Sequence, residues 1–427
     1  MIRYVLTALA ACLLFAAAPA QAKSPLDPLA EQYVKLSLAI GEKEDGYIDA
    51  FYGPAEWQAE AKATPRDLPA LKAEVAALAL AVKRIKPGWL VADEQRRRVF
   101  LLAQLKAAET RLRMMSGEKL SFEDEAEGLF GVRPVLKPLS SYDPYLTKIE
   151  ALVPGEGPLW QRVDAFNDRF IVPADRLKPV MDAAIAECRK RTVEHIGLPA
   201  NERFTLEFVT GKSWSGYNWY KGNATSLIQV NTDLPVRLSR AVDLGCHEGY
   251  PGHHVLNMLL EDRLSKGKGW VEFTVYPLYS PQSLIAEGSA NYGIDLAFPG
   301  EERVKFEREV LYPLAGLDPK DAARYDALLE AQKALAGARF TIASDYLSGK
   351  ITRDEAIKLT QRYGLVSAKR AAQTVAFSEQ YRSYVINYGL GQDMVRAWVE
   401  GAGPDVTRRW ARMEAVISEP TLPSDLH

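Results

Sequence analysis

This chain of 427 residues contains few histidines and few cysteines, and its positive and negative charges nearly balance. Its 53 basic and 55 acidic residues leave a net charge of −2 at pH 7. A chain this close to neutrality gives no reason to expect nucleic acid or an anionic membrane surface as a partner. Beyond the first 22 residues no apolar run approaches the roughly 18 residues of a transmembrane helix, so we expect no membrane span in the mature chain.

The amino terminus has the pattern of a secretory signal peptide. A short basic start, Met1–Arg3, is followed by an apolar run and by a small-residue cleavage site that ends at Ala22. We therefore predict that residues 1–22 are removed and that the mature protein is periplasmic or secreted. Cys12 follows a stretch that resembles a lipobox, but the apolar run continues beyond it, so cleavage after Ala22 is favoured over lipid anchoring at Cys12.

The mature chain would keep two of the three cysteines, Cys188 and Cys246. In an exported protein they could pair, but nothing in their spacing requires a bridge. The hydrophobic content of 47% fills a large core in a chain of this length without a covalent link. Two buried thiols are therefore favoured over a disulfide.

The hydrophobic pattern divides the mature chain into a helical region at residues 23–200, a second region at 201–418 and a loose tail at 419–427. In the first region Leu101, Leu105 and Leu112 recur at helical steps and give one apolar face. The nearby run Arg96–Arg98 is predicted to lie on a solvated face. Helical patterns dominate from Leu26 to His195.

Residues 204–209 and 226–231 differ from this pattern, because they alternate in polarity and favour β-branched residues. Both stretches are typical of short strands. The aromatic segment Trp214–Tyr220 between them is predicted to be a loop. Its side chains could line substrate subsites or could simply pack against one another, and the sequence favours neither. Helices resume after Pro235. The fold we expect is mostly α, with a small β-sheet beside the helix that carries the motif described next.

Three of the five histidines lie in one stretch of eight residues, His247–His254, beside Glu248. Imidazole nitrogens with a neighbouring carboxylate are the ligands that zinc prefers. The stretch departs from the H-E-x-x-H pattern of zinc peptidases, in which the second histidine stands four residues after the first, because Pro251 occupies that position. Its histidine candidates lie six and seven residues after His247, at His253 and His254.

An unbroken helix through this stretch is not expected, because Pro251 lacks an amide hydrogen and Gly252 is conformationally permissive. A bulge at Tyr250 and Pro251 would return His253 to the place that the second histidine normally holds. We therefore favour His253 as the second ligand, and His254 stays open as the alternative.

A catalytic zinc site usually has three protein ligands and one open position. Glu287, which lies 39 residues after Glu248 on the next substantial predicted helix, is the best candidate for the third ligand. Asp243 is its competitor, although it would serve more naturally as a hydrogen-bond partner of a ligand. The remaining histidines, His195 and His427, are interpreted as structural.

With these residues the chain resembles the bacterial family called domain of unknown function 885, which is grouped with the gluzincin metallopeptidases. The resemblance rests on His247-Glu248 with Pro251-Gly252-His253-His254, and on Glu287-Gly288-x-Ala290-x-Tyr292, and it covers roughly residues 200–390. It implies a zinc ion on His247, His253 and Glu287, with Glu248 as general base.

The resemblance also implies two further features of the site. Ser226–Asn231 would be the edge strand against which an extended peptide pairs. Tyr388, in the string Tyr388-Gly389-Leu390-Gly391, would stabilise the oxyanion that develops during hydrolysis.

The sequence therefore predicts an exported zinc metallopeptidase that hydrolyses amide bonds of short peptides, with Glu248 activating a water molecule. One alternative is a non-catalytic periplasmic binding or scaffold protein with a vestigial zinc site. Another is a zinc hydrolase that acts on a non-peptide amide or ester. The sequence does not indicate which bond is cut or how many copies of the chain assemble.

Overall fold

The computed structural model describes residues 24–212 and 214–426. The predicted signal peptide, its cleavage position, Cys12 and His427 lie outside these residues. Within the described ranges, no helix is long and apolar enough to cross a membrane.

Helices make up most of the described chain, as predicted. Their bounds, including short ones, are α1 Asp27–Gly41, α2 Ala55–Ala63, α3 Leu68–Arg84, α4 Ala92–Met115, α5 Phe122–Phe130, α6 Asp143–Leu152, α7 Leu159–Asn167, α8 Ala174–Val193, α9 Ser239–Leu244, α10 His253–Leu260, α11 Pro281–Ala297, α12 Glu302–Phe306, α13 Tyr312–Ala315, α14 Ala322–Lys333, α15 Ala338–Leu347, α16 Arg353–Gly364, α17 Ala368–Tyr381, α18 Leu390–Glu400 and α19 Val406–Ser418. The strands are β1 Ile48–Phe51, β2 Arg203–Val209, β3 Gly216–Tyr220, β4 Thr225–Asn231 and β5 Val275–Pro277.

Local sequence signals account for several helix ends. Thr352 and Glu355 form a capping box at the start of α16, in which each side chain accepts a hydrogen bond from the other residue's backbone N–H. Asp67 caps α3 by accepting a hydrogen bond from the backbone N–H of Ala70. In α4, Leu101, Leu105 and Leu112 are buried, as their spacing predicts.

The predicted small sheet is present, and it has three strands in the order β2-β4-β3. Strand β4 pairs parallel with β2 and antiparallel with β3. The segment Trp214–Tyr220, predicted as a loop, therefore contains a strand. The prediction that Ser226–Asn231 is an edge strand is wrong, because β4 is central and has partners on both sides.

A second sheet interrupts the helical pattern predicted for the amino-terminal region. Strand β1, at Ile48–Phe51, pairs antiparallel with β5. Both strands are short, and β5 is fully buried. The sequence did not predict β1 and β5, because a stretch of three or four residues is too short for its hydrophobic pattern to distinguish a strand from a helix or a loop. The pairing joins residues more than 200 positions apart in the chain.

Cys188 and Cys246 form a disulfide bond, so the prediction of two buried thiols is wrong. Cys188 lies on α8, and Cys246 lies directly before His247. The spacing along the chain gave no sign of the bond, because their proximity depends on how α8 packs against the segment after α9. The bond links α8 covalently to the segment that carries the histidine motif.

Arg97 does not lie on a solvated face, contrary to the prediction for Arg96–Arg98. Its side chain is 0% exposed and forms two hydrogen bonds with Glu272, whose side chain is also 0% exposed. A third bond reaches Asp27 at the start of α1. The carboxylate of Glu272 offsets the cost of burying the Arg97 guanidinium. Because Glu272 lies far away in sequence, the local charge pattern around Arg97 cannot reveal this partner.

The carboxyl-terminal segment is not loose over residues 419–426, contrary to the prediction. Thr421, Leu422 and Pro423 are buried, and Leu426 packs into the main hydrophobic core. That core runs from Leu26 to Leu426 and includes residues from both predicted regions. The boundary proposed between residues 200 and 201 stays a prediction.

Candidate metal centre

The histidine motif lies where one helix ends and another begins. After α9 the chain makes a π-helical turn, Gly245–Gly249, and α10 begins at His253. Gly252 lies directly against this turn, since a Cβ atom there would be 1.8 Å from the carbonyl oxygen of His247. Only glycine permits this approach, which brings the first residue of α10 back beside His247.

His247 is oriented by Asn291 of α11. The Nδ1 atom of His247 lies 3.1 Å from the Oδ1 atom of Asn291, which can only accept a hydrogen bond from the ring. This bond fixes the proton on Nδ1 and leaves Nε2 as the free nitrogen. The Nδ2 group of Asn291 in turn donates to the backbone carbonyl of Tyr388.

Glu287 lies on the same helix, α11, and its two carboxylate oxygens have different surroundings. The Oε1 atom accepts a hydrogen bond of 2.9 Å from the hydroxyl of Tyr384. The Oε2 atom lies 3.4 Å from Nε2 of His247 and 3.9 Å from Nε2 of His253. It is buried and has no hydrogen-bond partner.

The structure therefore brings together His247, His253 and Glu287, whose donor atoms all lie within 4.8 Å of one another. Ligands held about 2.0–2.1 Å from a tetrahedral zinc ion are separated by about 3.4 Å, which is the distance between Glu287 and His247. An unpartnered buried carboxylate oxygen facing two imidazoles fits a divalent cation. These three residues could hold a metal ion.

Protonation of His253 and Glu287 suits this arrangement, whereas burial is outweighed at His247 by its contact with Glu287 and the nearby carboxylates, which raise the pKa of its imidazole. Burial and the neighbouring His247 lower the pKa of His253 to about 4, so its imidazole is neutral at pH 7 and can donate a lone pair. Burial opposes a charge on Glu287, but the neighbouring imidazoles of His247 and His253 and the hydrogen bond from the Tyr384 hydroxyl lower the pKa of its carboxyl group. A neutral imidazole and an ionised carboxylate are the forms that coordinate metals.

His254 lies outside this cluster. Its side chain is 0% exposed, and both ring nitrogens have partners: the hydroxyl of Ser226 lies 2.8 Å from Nδ1, and a carboxylate oxygen of Glu202 lies 3.2 Å from Nε2. Tyr250 also donates to this carboxylate. His254 therefore ties α10 to the sheet, and the structure places His253 beside His247 instead.

Glu248 is buried next to the cluster. Burial raises the pKa of its carboxyl group to about 7, against the lowering effect of His247 and with a further increase from Glu287. Its carboxylate faces β3, because a Cβ atom on Gly216 would lie 3.0 Å from Oε1 of Glu248. The Nδ2 group of Asn218, also on β3, donates to the backbone carbonyl of Glu248 at 2.7 Å. Strand β3 therefore fixes the position of Glu248.

Tyr388 lines the same cavity as these residues. Burial and the charge of Glu287 raise the pKa of its hydroxyl well above the ordinary value, so the phenol keeps its proton. Its ring lies 5.9 Å from that of Tyr384, in the 3₁₀-helical segment Arg382–Tyr388. Its role in stabilising an oxyanion stays a prediction.

Two glycines bring this tyrosine segment to the cluster. A Cβ atom on Gly288 would lie 2.4 Å from the carbonyl carbon of Gly391, so α11 and α18 touch backbone to backbone. Gly288 directly follows Glu287, and Gly391 closely follows Tyr388. The two separate sequence motifs therefore meet in space at their glycines.

Asp243 does not join the cluster. Its carboxylate forms ion pairs with Arg240 at 3.1 Å and with Arg303 at 2.9 Å. The predicted partner role toward a ligand is filled by Asn291 instead. His195 stacks on Trp410, in keeping with its structural interpretation.

Sequence reasoning missed Asn291 and Tyr384. Asn291 stands four residues after Glu287 on one helix, so the two share a face, and that spacing could have identified it. Tyr384 stands four residues before Tyr388. No sequence signal separates it from the other tyrosines, because its contact with Glu287 depends on the packing of α11 against the tyrosine segment.

The cluster forms part of the wall of a cavity of about 1010 Å³. Trp214, Tyr217 and Trp219 contribute aromatic surface from β3 and the residues just before it. That they form substrate subsites stays a prediction. Helix α17 contributes Arg370, Phe377 and neighbouring residues. The four motif residues His247, Glu248, His253 and Glu287 all line this cavity.

Comparison with known proteins identifies no relative by sequence. No family model matches the chain, and no curated protein matches it. The resemblance to domain of unknown function 885 therefore stays a prediction.

Solved structures do match. A protein from Colwellia psychrerythraea described as a "putative lipoprotein" superposes with a TM-score of 0.53 and 13% identity over 83% of this chain. The likeness is one of fold. This chain spans 65% of the length of that protein.

Two carboxypeptidases match with lower scores. The Pyrococcus furiosus enzyme has a TM-score of 0.40 at 13% identity and covers 92% of this chain, which spans 90% of that enzyme. The Deinococcus radiodurans enzyme has a TM-score of 0.37 at 13% identity and covers 94% of this chain, which spans 93% of that enzyme.

Proposed function

We propose that this protein is a zinc-dependent peptidase that hydrolyses amide bonds of short peptides. The observation that carries the proposal is the convergence of His247, His253 and Glu287 beside the buried carboxylate of Glu248. All four residues line one cavity. A vestigial site would be expected to lack one ligand or the base, and this chain retains all of them.

Two neutral imidazoles and one carboxylate are a donor set typical of catalytic zinc. Three ligands leave a fourth position for water or substrate. Zinc in this position would supply Lewis-acid polarisation of a carbonyl group and would make a bound water acidic enough to lose a proton near neutral pH.

The residues of the chain supply the proton transfers. Glu248 accepts a proton from the attacking water and then returns it to the nitrogen of the leaving amine. Its burial and the bond from Asn218 hold it in one position, so little reorganisation is needed during the reaction. The hydroxyl of Tyr388, which keeps its proton, donates a hydrogen bond to the oxygen of the attacked carbonyl.

An extended peptide fits the proposed site through β3. Because β4 is central in the sheet, the free edge beside Glu248 belongs to β3. A peptide can add to such an edge by backbone hydrogen bonds. The volume of about 1010 Å³ lies at the upper end of the roughly 300–1,000 Å³ typical of small-ligand sites, which accommodates a few residues and excludes a folded protein.

We also propose that the protein acts outside the cytoplasm. The signal-peptide pattern at residues 1–22 supports this. The disulfide between Cys188 and Cys246 supports it independently, since such bonds form and persist in oxidising compartments.

The proposal is tested by elemental analysis of the purified protein, combined with a peptide-library digest read by mass spectrometry. We expect about one zinc ion per chain and cleavage that a chelator abolishes and zinc restores. The variant Glu248→Gln should keep its metal and lose turnover. Full cleavage by this variant, or cleavage unaffected by metal removal, would refute the mechanism.

A further inference from the structure

Two cavity arginines, Arg339 and Arg370, have no carboxylate partner among the described residues, and Arg339 is the one that lies over the ring of Tyr388. Arg240, Arg303 and Lys333 line the same cavity, and each of them pairs with a carboxylate. Arg339, at the start of α15, forms no salt bridge and no side-chain hydrogen bond to the described residues, and its Nε atom is buried.

The side chain of Arg339 is surrounded by aromatic rings rather than by hydrogen-bond acceptors. Its guanidinium lies 5.0 Å from the ring centre of Phe377 and 5.9 Å from that of Tyr388. Aromatic faces attract a cation only weakly and cannot replace the hydrogen bonds lost to water. A half-buried charge with an unpartnered, buried nitrogen costs stability, so its presence in a cavity indicates an anion supplied from outside.

The position of Arg339 relates it to the proposed reaction. It contacts the ring of Tyr388, the residue whose hydroxyl faces the attacked carbonyl in the proposed mechanism. An extended peptide advances about 3.3 Å per residue. An anion held by Arg339 would therefore belong to a group within one or two residues of the bond that is cut.

Of the cavity's acidic side chains outside the candidate metal centre, Asp243 and Asp295 are paired with basic side chains. The others come from a different part of the fold than Arg339. Glu44, Asp45 and Asp49 come from β1 and the turn before it, whereas Arg339 comes from α15. This distribution favours a substrate that carries its negative charge toward α15. In a peptide, the group that always carries a negative charge is the terminal carboxylate, and a planar guanidinium binds a carboxylate through two parallel hydrogen bonds.

We propose that Arg339 binds the free C-terminal carboxylate of the peptide, so that the enzyme removes residues from carboxyl ends. This inference rests on the proposed peptidase function and specifies its substrate class. Arg339 could bind a carboxylate from either of two sources, the C-terminus of the peptide or an acidic side chain. The experiment below distinguishes these two sources.

Binding is measured on full-length protein stripped of metal, so that no hydrolysis occurs. The probes are an N-acetylated tripeptide without acidic side chains, its C-terminal amide, and an amidated tripeptide with one glutamate side chain. We expect the free acid to bind at least about tenfold more tightly than either amide. Equal affinity of acid and amide, or tight binding of the glutamate-bearing amide, overturns the proposal. This comparison needs no variant.

Variants locate the subsite. Arg339→Gln should abolish the preference for the free acid, and Arg339→Lys should keep part of it. Arg408→Gln, an exposed arginine of α19, removes the same charge outside the cavity and should keep the preference in full. Arg370→Gln removes the other cavity arginine without a carboxylate partner among the described residues and should also keep it.

Stability provides a second readout. Because Arg339 is half-buried, with a buried Nε atom and no anionic partner among the described residues, Arg339→Gln should leave the thermal unfolding midpoint unchanged or raise it. A lowered midpoint together with a retained preference for the free acid would show that Arg339 is structural and overturn the proposal. A clear preference for free acids in the metal-free protein, together with no hydrolysis by the zinc-loaded protein, would instead support this subsite and refute the peptidase function.

Discussion

The hydroxyl of Tyr384 donates a hydrogen bond of 2.9 Å to Oε1 of Glu287. This bond leaves Oε2 facing His247 and His253 without a partner of its own. A carboxylate held in this way offers one oxygen to the protein and one to a cation. Hydrogen bonds of this kind orient metal ligands and typically change metal affinity by about 10–100-fold.

Tyr384→Phe should therefore weaken zinc retention by about 10–100-fold, because Glu287 loses the bond that orients it. Tyr388→Phe removes a hydroxyl from the same segment and is the matched control, since Tyr388 donates to no proposed ligand. We expect Tyr388→Phe to keep its metal and to lower kcat. Zinc affinity from chelator competition and steady-state kinetics on the same preparations would check both variants, and identical zinc affinities would contradict the assignment of Tyr384.

His253→Ala and His254→Ala should have opposite effects on metal and stability. His253→Ala removes a donor atom from the cluster, so we expect loss of bound zinc. His254→Ala should retain zinc but lower the free energy of unfolding by roughly 1–3 kcal/mol, because it leaves Ser226 and Glu202 without their buried partner. Elemental analysis and urea unfolding distinguish the two, and loss of zinc only in His254→Ala would reverse the assignment.

Loss of the bond between Cys188 and Cys246 should destabilise the protein. It closes a long loop, with a sequence separation of 58 residues, and native disulfides typically contribute about 2–4 kcal/mol. The variant in which both cysteines become serine should unfold at a lower denaturant concentration than the oxidised protein. Wild-type protein treated with a reductant is the control, and it should shift in the same direction. Unchanged unfolding in both would show that the bond is absent in solution.

Acid should weaken the fold partly through Glu202. Burial opposes its charge, but hydrogen bonds from His254, Tyr250 and Arg189 lower the pKa of its carboxyl group to about 2, from an ordinary value of 4.5. Because the folded-state pKa is depressed, this contribution is present above pH 4.5 and is lost as the pH falls toward 2. The difference in unfolding free energy between wild type and Glu202→Gln should therefore be smaller at pH 3 than at pH 7.

Glu109→Gln, an exposed glutamate of α4, provides the control for this measurement. It should show little difference from wild type at either pH. A gap between wild type and Glu202→Gln that stays constant from pH 7 to pH 3 would argue against ionisation of Glu202 as the cause.

Several features of the fold could be predicted because they depend on short stretches of sequence. The spacing of Leu101, Leu105 and Leu112 predicted a buried helix face. The capping-box spacing of Thr352 and Glu355 accounts for the start of α16. The alternation in residues 204–209 and 226–231 predicted two strands. Each of these features depends only on residues close together in the chain, through helical periodicity, helix capping or the alternation of side chains along a strand.

The features that were predicted wrongly depend on distant partners. Arg97 can be buried because Glu272 pairs with it, and Cys188 is oxidised because Cys246 lies beside it. Strand β4 is central rather than an edge strand because β3 pairs with its second side. Sequence periodicity describes one element at a time and does not state which elements become neighbours.

The same division holds for the candidate site. The sequence alone determined that His247, Glu248, His253 and Glu287 are candidates for metal chemistry. Histidine is scarce in this chain, and three of its five histidines stand in one short stretch beside a glutamate. Pro251 in that stretch also makes an unbroken helix unexpected. The tertiary structure alone decided that His253 faces Glu287 while His254 is held by Glu202, that Asn291 and Tyr384 orient two of the ligands, and that Arg339 is left without an anionic partner. Those outcomes depend on close approach between elements far apart in the chain, such as the glycine contact between α11 and α18, and packing of this kind has no local signature.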